Sequence, residues 1–131
     1  MSFKLDVDRF VRKTNVKRPK FMRKVLLQAF KELTQMTPVK TGRAKANWFP
    51  QEGSPSRKTT ESTSSSPPGA PADFSSALAI TVSGRKDLYV SNNLPYISRL
   101  EHGSSRQAPL GMLRVVRDRL KKNIESGLLR P

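Results

Sequence analysis

The only neighbouring carboxylate and imidazole in the chain are Glu101 and His102, and general acid–base catalysis is the chemistry such a pair would do. Adjacency works against it. Neighbouring side chains point to opposite faces of a strand, and on a helix they diverge by about 100°. The pair therefore does not read as a dyad. With no cysteine there is no thiol nucleophile, disulfide or zinc–thiolate site, and a single histidine excludes a multi-histidine metal site. No serine lies in a G-x-S-x-G elbow, and neither a G-K-[ST] phosphate loop nor a G-x-G-x-x-G turn occurs. The carboxylates are few and scattered, which argues against a hard-cation site. The expectation is a protein with no enzymatic activity, no cofactor and no metal.

The cations carry a stronger signal. Lys and Arg number 25 against 10 Asp and Glu, for a formal charge of +15. Half of the residues from Arg9 to Lys24 are basic: Arg9, Arg12, Lys13, Lys17, Arg18, Lys20, Arg23 and Lys24. Such a run attracts phosphate backbones by counterion release, and it equally suits an acidic protein surface. Trp48, Tyr89 and Tyr96 are too scattered to form a base-stacking platform, so any nucleic-acid contact would be non-specific.

These residues need elements to position them. A length of 131 residues is one domain's worth, and 35% hydrophobic residues fall short of the roughly 45–50% usual for a globular domain. The core is small, or part of the chain lies outside it. No apolar run approaches the roughly 20 residues of a membrane span, and the opening MSFKLDVDRF lacks the apolar centre of a secretory signal. A protein of a reducing compartment, without a membrane partner, fits best. Apolar residues at Met22, Val25, Leu26, Ala29, Phe30, Leu33 and Met36 form one helical stripe, which Thr37-Pro38 ends. Val7, Phe10 and Val11 suggest a shorter helix over 5–14, and Pro19 suits the first turn of the second helix.

Further along, Ala46 to Phe49 reads as a strand. Leu78, Ile80 and Val82 alternate as a second strand, and Asp87 to Ser91 reads as its hairpin partner across Ser83-Gly84-Arg85-Lys86. Tyr96 to His102 predicts a short helix ending at Gly103, and Leu110 to Ser126 a last one with Leu113, Val116, Leu120 and Ile124 inward. Between Gly53 and Ala72, 15 of 20 residues are Gly, Ser, Thr or Pro. With no large apolar side chain to offset ordering entropy, this stretch predicts a mobile loop over about 51–73. The expected architecture is α+β: one domain, 1–131, with a long amphipathic helix and a C-terminal helix packed on a small antiparallel sheet. Its first part, 1–20, is a basic N-terminal arm.

Three islands remain: TPVKTGRAKANW (37–48), SNNLPYISRLEHGSS (91–105) and QAPLGM (107–112). In this order, between an amphipathic basic helix and a closing helix, they resemble the tail-completion, or minor tail, proteins of long-tailed double-stranded DNA bacteriophages. Those are neck components that join head to tail. The match spans about Phe21 to Ile124. Lys40 stands where many relatives are acidic, and the serine-rich middle is long for the family. The resemblance implies a structural virion protein of the neck or tail end, acting through interfaces rather than catalysis. It implies a hexamer, or at least a multi-copy collar, that completes the tail and supports head–tail joining. Its partners would be copies of itself, other neck and tail proteins, and non-specifically the genomic DNA. The protein would be found in the virion, and in the host cytoplasm during assembly. The motif residues, structural or interfacial, are Pro38, Thr41, Gly42, Asn47, Trp48, Asn92, Pro95, Tyr96, Glu101, Gly103, Gln107, Pro109 and Gly111. A different class remains open beside it, a basic non-specific nucleic-acid-binding protein using the Arg9–Lys24 run.

Each island also has a physical reading. Gly42 supplies free backbone angles for a chain reversal, and Thr41 bonds the turn. Trp48 anchors the helix to the sheet and needs an acceptor for its N–H. Glu101, if buried, needs an arginine or a backbone amide. Pro109 sets the angle of the last helix.

Overall fold

The computed structural model describes residues 2–4, 18–73, 75–102 and 111–126. In chain order the elements are β1 (Ser2–Lys4), α1 (Arg18–Met36), α2 (Arg43–Ala46), β2 (Phe49–Glu52), α3 (Ser75–Leu78), β3 (Leu88–Ser91), α4 (Ile97–Glu101) and α5 (Leu113–Glu125). This is the α+β arrangement the sequence predicts, with helices packed on a small antiparallel sheet. The stretch 5–14, expected to be helical, lies outside the described residues. Among those described, no helix is long and apolar enough to cross a membrane.

The core follows from the helical stripe. Phe21, Met22, Val25, Leu26, Ala29, Phe30 and Leu33 on α1 are all buried, against Leu88 and Val90 of β3 and Leu113, Val116 and Leu120 of α5. Pro19 sits in the first turn of α1 as its fixed φ favours. At the other end, the Thr37 amide and hydroxyl both donate to the Leu33 carbonyl, at 3.1 and 2.6 Å, closing the last turn before Pro38.

β3 is the middle strand. It pairs antiparallel with β2 on one side, in the register Phe49 opposite Ser91, and with β1 on the other, Phe3 opposite Val90. The Gly53 amide donates to the Asp87 carbonyl at 2.8 Å, extending the β2 ladder. Residues 49, 51 and 53 therefore turn their backbone groups toward β3, and Pro50, which has no N–H, faces the outer edge.

Two expected strands are corrected. Residues 46–49 do not form one strand: Gly42 opens a helical turn that runs to Ala46, and β2 begins only at Phe49. Residues 78–83 form no strand, because both edges of β3 are already taken by β2 and β1. Instead α3 ends at Leu78, whose side chain is 44% exposed. The Arg23 guanidinium then takes the carbonyls of Ile80, at 2.6 Å, and of Leu78. In place of the expected hairpin turn at 83–86 the chain bends over 84–86, with Gly84 at φ 81° against Pro19. It leads from Ser83, held by the Glu52 carboxylate, into β3 rather than across a hairpin. These hydrogen bonds from Ser83 hold the Glu52 pKa below the usual carboxylate range.

The 53–73 stretch has no regular strand or helix, in keeping with its composition, but it is not a free loop. It lies against the body through the hydrogen bonds described next, which take the place of the apolar anchors it lacks.

Candidate functional site

Three joints hold the islands, one within the first island and two between islands, each made by a side chain reaching another segment. In the first island, the buried Trp48 indole donates through Nε1 to Thr37 Oγ1 at 2.7 Å. The same hydroxyl that closes α1 thus satisfies the indole and ties helix end to sheet. The second joint links the first two islands. Asn92, fully buried, donates from Nδ2 to the Ala44 carbonyl at 2.9 Å and accepts the Leu94 amide at 3.2 Å.

The third joint links the second and third islands. Glu101, at 4% exposure, ends α4 and accepts the amides of Met112 and Leu113 on Oε1, at 2.8 and 2.6 Å. Its Oε2 accepts the Arg114 amide at 3.3 Å and Arg114 Nε at 2.9 Å. The carboxylate thus caps the N-terminus of α5 from outside the helix, where orphan N–H groups and the helix dipole favour a negative charge. Burial pushes its pKa up, but the three amides and the guanidinium outweigh burial and hold it below the usual range. Gly111 at φ 84° lets the backbone pass this close, since a Cβ there would sit 2.9 Å from Glu101 Oε2. Both partners expected for Glu101, an arginine and a backbone amide, are present. His102 does not join it: its Nδ1 lies 2.7 Å from the Ser98 carbonyl, on an exposed ring.

A second arrangement, not foreseen from the sequence, surrounds the serine-rich stretch. Asn47 Oδ1 accepts the Thr60 amide at 2.8 Å, while its Nδ2 donates to the Thr60 carbonyl at 3.0 Å and to the Arg43 carbonyl at 2.7 Å. Arg43 Nε donates to the same Thr60 carbonyl at 3.2 Å. The Gly42 carbonyl accepts the Ser64 amide at 2.9 Å, and Lys45 Nζ donates to the Pro67 carbonyl at 2.8 Å. From the end of β3, Ser91 Oγ and Asn93 Nδ2 donate to the Ser56 carbonyl at 3.2 and 2.7 Å. Thr34 Oγ1 accepts the Ala72 amide at 3.1 Å. On the loop side, every one of these bonds uses a main-chain atom. Arg43 adds one exposed ion pair, to Glu61 at 3.2 Å. The result is a clasp that holds a backbone path, with Ser56 and Ala72 buried and the side chains of 57–59, 61–63 and 65 exposed.

Lys45 and Gly42 show how tightly the clasp is built. The Lys45 side chain is buried, and burial lowers its pKa. Gly42 has φ 86°, and a Cβ there would lie 2.9 Å from Ser64 N and closer still to the Ser64 carbonyl oxygen. The free angles expected of Gly42 are thus used, though they open a helical turn and admit the loop rather than lead straight into a strand. Thr41 Oγ1 accepts the Arg43 amide at 3.3 Å, the expected turn bond.

Of the other motif residues, Pro38 is buried, Pro95 is exposed, and Tyr96 packs half-buried on the core. Gly103, Gln107 and Pro109 lie outside the described residues. So do Arg9, Arg12, Lys13 and Lys17 of the basic run. Arg18 opens α1, and Lys20 and Lys24 are exposed on its outer face, with Lys31 in the same row. Arg23, counted with them from sequence, is instead turned to the Leu78 and Ile80 carbonyls. Among the described residues no group of three or more His, Asp or Glu could hold a metal ion. No family model matches the chain, and no curated protein or solved structure matches it.

Lys45, Asn93, Ser91 and Arg114 were not singled out from sequence. Lys45 lies inside the first island and Asn93 beside Asn92, so the islands themselves were the available signal.

Proposed function

We propose that the chain is a structural virion protein of the phage neck or tail end, forming a ring of copies that completes the tail and supports head–tail joining. The observation that carries this reading is the convergence of the three islands. Asn92 ties the second to the first, and Glu101 ties it to the third. The described motif residues with the clearest roles act as joints of one small body: Gly42, Asn47, Trp48, Asn92, Glu101 and Gly111. A protein that works by holding shape within an assembly needs such joints and no reactive centre. The reading is tested by particles made with and without the chain. Copies should be found in purified particles, with density at the neck in electron micrographs, and its deletion should leave heads and tails unjoined. Complete, infectious particles made without it would refute the reading.

A second reading, a non-specific nucleic-acid-binding protein, draws on one observation. Lys20, Lys24 and Lys31 lie along the outer face of α1, over about 16 Å of helix at 1.5 Å per residue. Submicromolar duplex binding by the isolated chain at physiological salt, with affinity falling steeply as salt rises, would favour it. Reversing the three lysines to glutamate would then reduce the salt slope by about 3.

A further inference from the structure

We propose that the bend at 84–86 and the first turn of α1 together form a contact site for the phosphate backbone of a nucleic acid, with Lys20, Arg85 and Lys86 as its cations. The inference rests on the nucleic-acid reading above and adds to it two residues from outside the Arg9–Lys24 run. A buried glycine makes the site. Gly84 lies at φ 81°, and a Cβ there would stand 2.6 Å from Cγ of Pro19 and 2.9 Å from its Cδ. Glycine is the residue that permits both the angle and the approach. It brings Arg85 and Lys86 beside Pro19 and Lys20, so cations far apart in sequence share one corner of the surface.

All three side chains are exposed, and among the described residues no hydrogen bond or ion pair engages them. The carboxylates around them face elsewhere. Glu32 is buried, Asp87 is half-buried, and Glu52, which feels Lys86 at a distance, accepts the Ser83 amide and hydroxyl. Like charges gathered this way raise the local positive potential and concentrate anions. The planar Arg85 guanidinium can bridge two phosphate oxygens, and the lysines act as point charges beside it.

The basic residues of α5 are more closely compensated. Arg114 is paired with Glu101 at 2.9 Å and Arg117 with Asp118 at 3.4 Å, while Lys121 and Lys122 stand one turn from Glu125. An acidic protein surface is the weaker candidate for the 84–86 corner. Protein interfaces draw on buried aromatic or aliphatic anchors, and Leu78 is the only large apolar side chain exposed among the described residues. A phosphate backbone needs only charge and the release of its counterions, without regard to base sequence.

The test is binding of the full-length chain to a short labelled duplex of arbitrary sequence, read by fluorescence anisotropy from about 50 to 200 mM salt. Each phosphate contact adds about 0.9 to the slope of log affinity against log salt. Arg85→Gln with Lys86→Gln should therefore lower the slope by about 2 and weaken binding at least about tenfold at about 0.1 M salt. Adding Lys20→Gln should lower the slope by about 1 more. Lys121→Gln with Lys122→Gln removes the same charge from α5 and should change the slope by less than about 0.5. Every variant should keep the wild-type circular dichroism spectrum, because the altered side chains are exposed. Equal losses from the two pairs would mean that net charge alone governs binding, and would overturn the site. A wild type that binds duplex with a slope untouched by the 85/86 pair removes the site and keeps the nucleic-acid reading. A wild type with no salt-dependent duplex binding removes both. An 85/86 variant that binds duplex normally but drops out of purified particles would assign the corner to an acidic protein instead.

Discussion

Replacing Gly42 with alanine tests the clasp where its geometry is tightest. Gly42 sits at φ 86° and ψ 0°, and the left-handed region costs a residue with a Cβ about 1–2 kcal/mol. Gly69 has a similar φ of 82° but nothing within 4 Å of an added Cβ, so Gly69→Ala carries that cost alone. At Gly42 the Cβ would also drive the Ser64 backbone away. The Ser64 amide would lose the Gly42 carbonyl, and the two-way bond between Asn47 and Thr60 would be pulled out of line. Hydrogen bonds of this kind contribute about 0.5–1.5 kcal/mol each. Gly42→Ala should therefore cost about 3–4 kcal/mol, roughly 2–3 kcal/mol more than Gly69→Ala. For a chain of this size that gap amounts to about 10 °C in melting temperature. It is a large part of a stability that is usually about 5–15 kcal/mol, but it leaves the domain folded. Urea unfolding measures the global loss. Limited trypsin digestion measures the local one, because Arg57 and Lys58 are exposed in the clasped stretch and should be cut faster once it lifts. If Gly42→Ala matches Gly69→Ala in both measurements, the backbone clasp as argued here is wrong.

Three further outcomes follow from the joints. Glu101→Gln should destabilise the protein by about 2–3 kcal/mol at neutral pH, because the charge facing three amides and a guanidinium is lost. Since folding lowers the Glu101 pKa, its contribution is full above the ordinary carboxylate value and lost as pH falls through the folded one. The acid limb of a stability–pH curve should accordingly be shallower in the variant. Trp48→Phe should cost about 1–3 kcal/mol in urea unfolding, with most of the cost absent in a Thr37→Val background that already lacks the acceptor. Lys45→Met should leave global stability within about 1 kcal/mol, exchanging one buried hydrogen bond for relief from a buried amine, while trypsin cleavage at Arg57 and Lys58 accelerates. The depressed lysine pKa also makes wild-type stability rise as pH climbs toward the ordinary lysine range, a rise that Lys45→Met should remove.

How much was legible in advance depended on where the information lay. The α1 stripe, the buried face of α5 and the strand at 88–91 repeat at the period of their own element, so local sequence suffices to read them. The alternation at Leu78, Ile80 and Val82 is as regular, yet it forms no strand: its expected partner β3 is paired on both sides by segments far away in sequence, which local alternation does not encode. The short β1 carries no periodicity at all within three residues. At the candidate site, Trp48, Glu101 and Gly42 announced themselves by residue type: an indole, a carboxylate and a glycine each demand a particular surrounding. The clasp did not. Its loop-side partners are carbonyls and amides of Thr60, Ser64 and Pro67, and every residue has those groups. A hydrogen bond to main chain leaves no mark on the sequence of the segment that receives it.

Pro50 has a consequence for how far such a protein can grow. On the proposed ring reading, many copies of a chain with an open sheet edge would be at risk of stacking edge to edge without limit before they assemble. A missing donor on that outer margin makes continuous fibre growth unfavourable there and leaves assembly to contacts that close on themselves. A finite particle needs parts that stop.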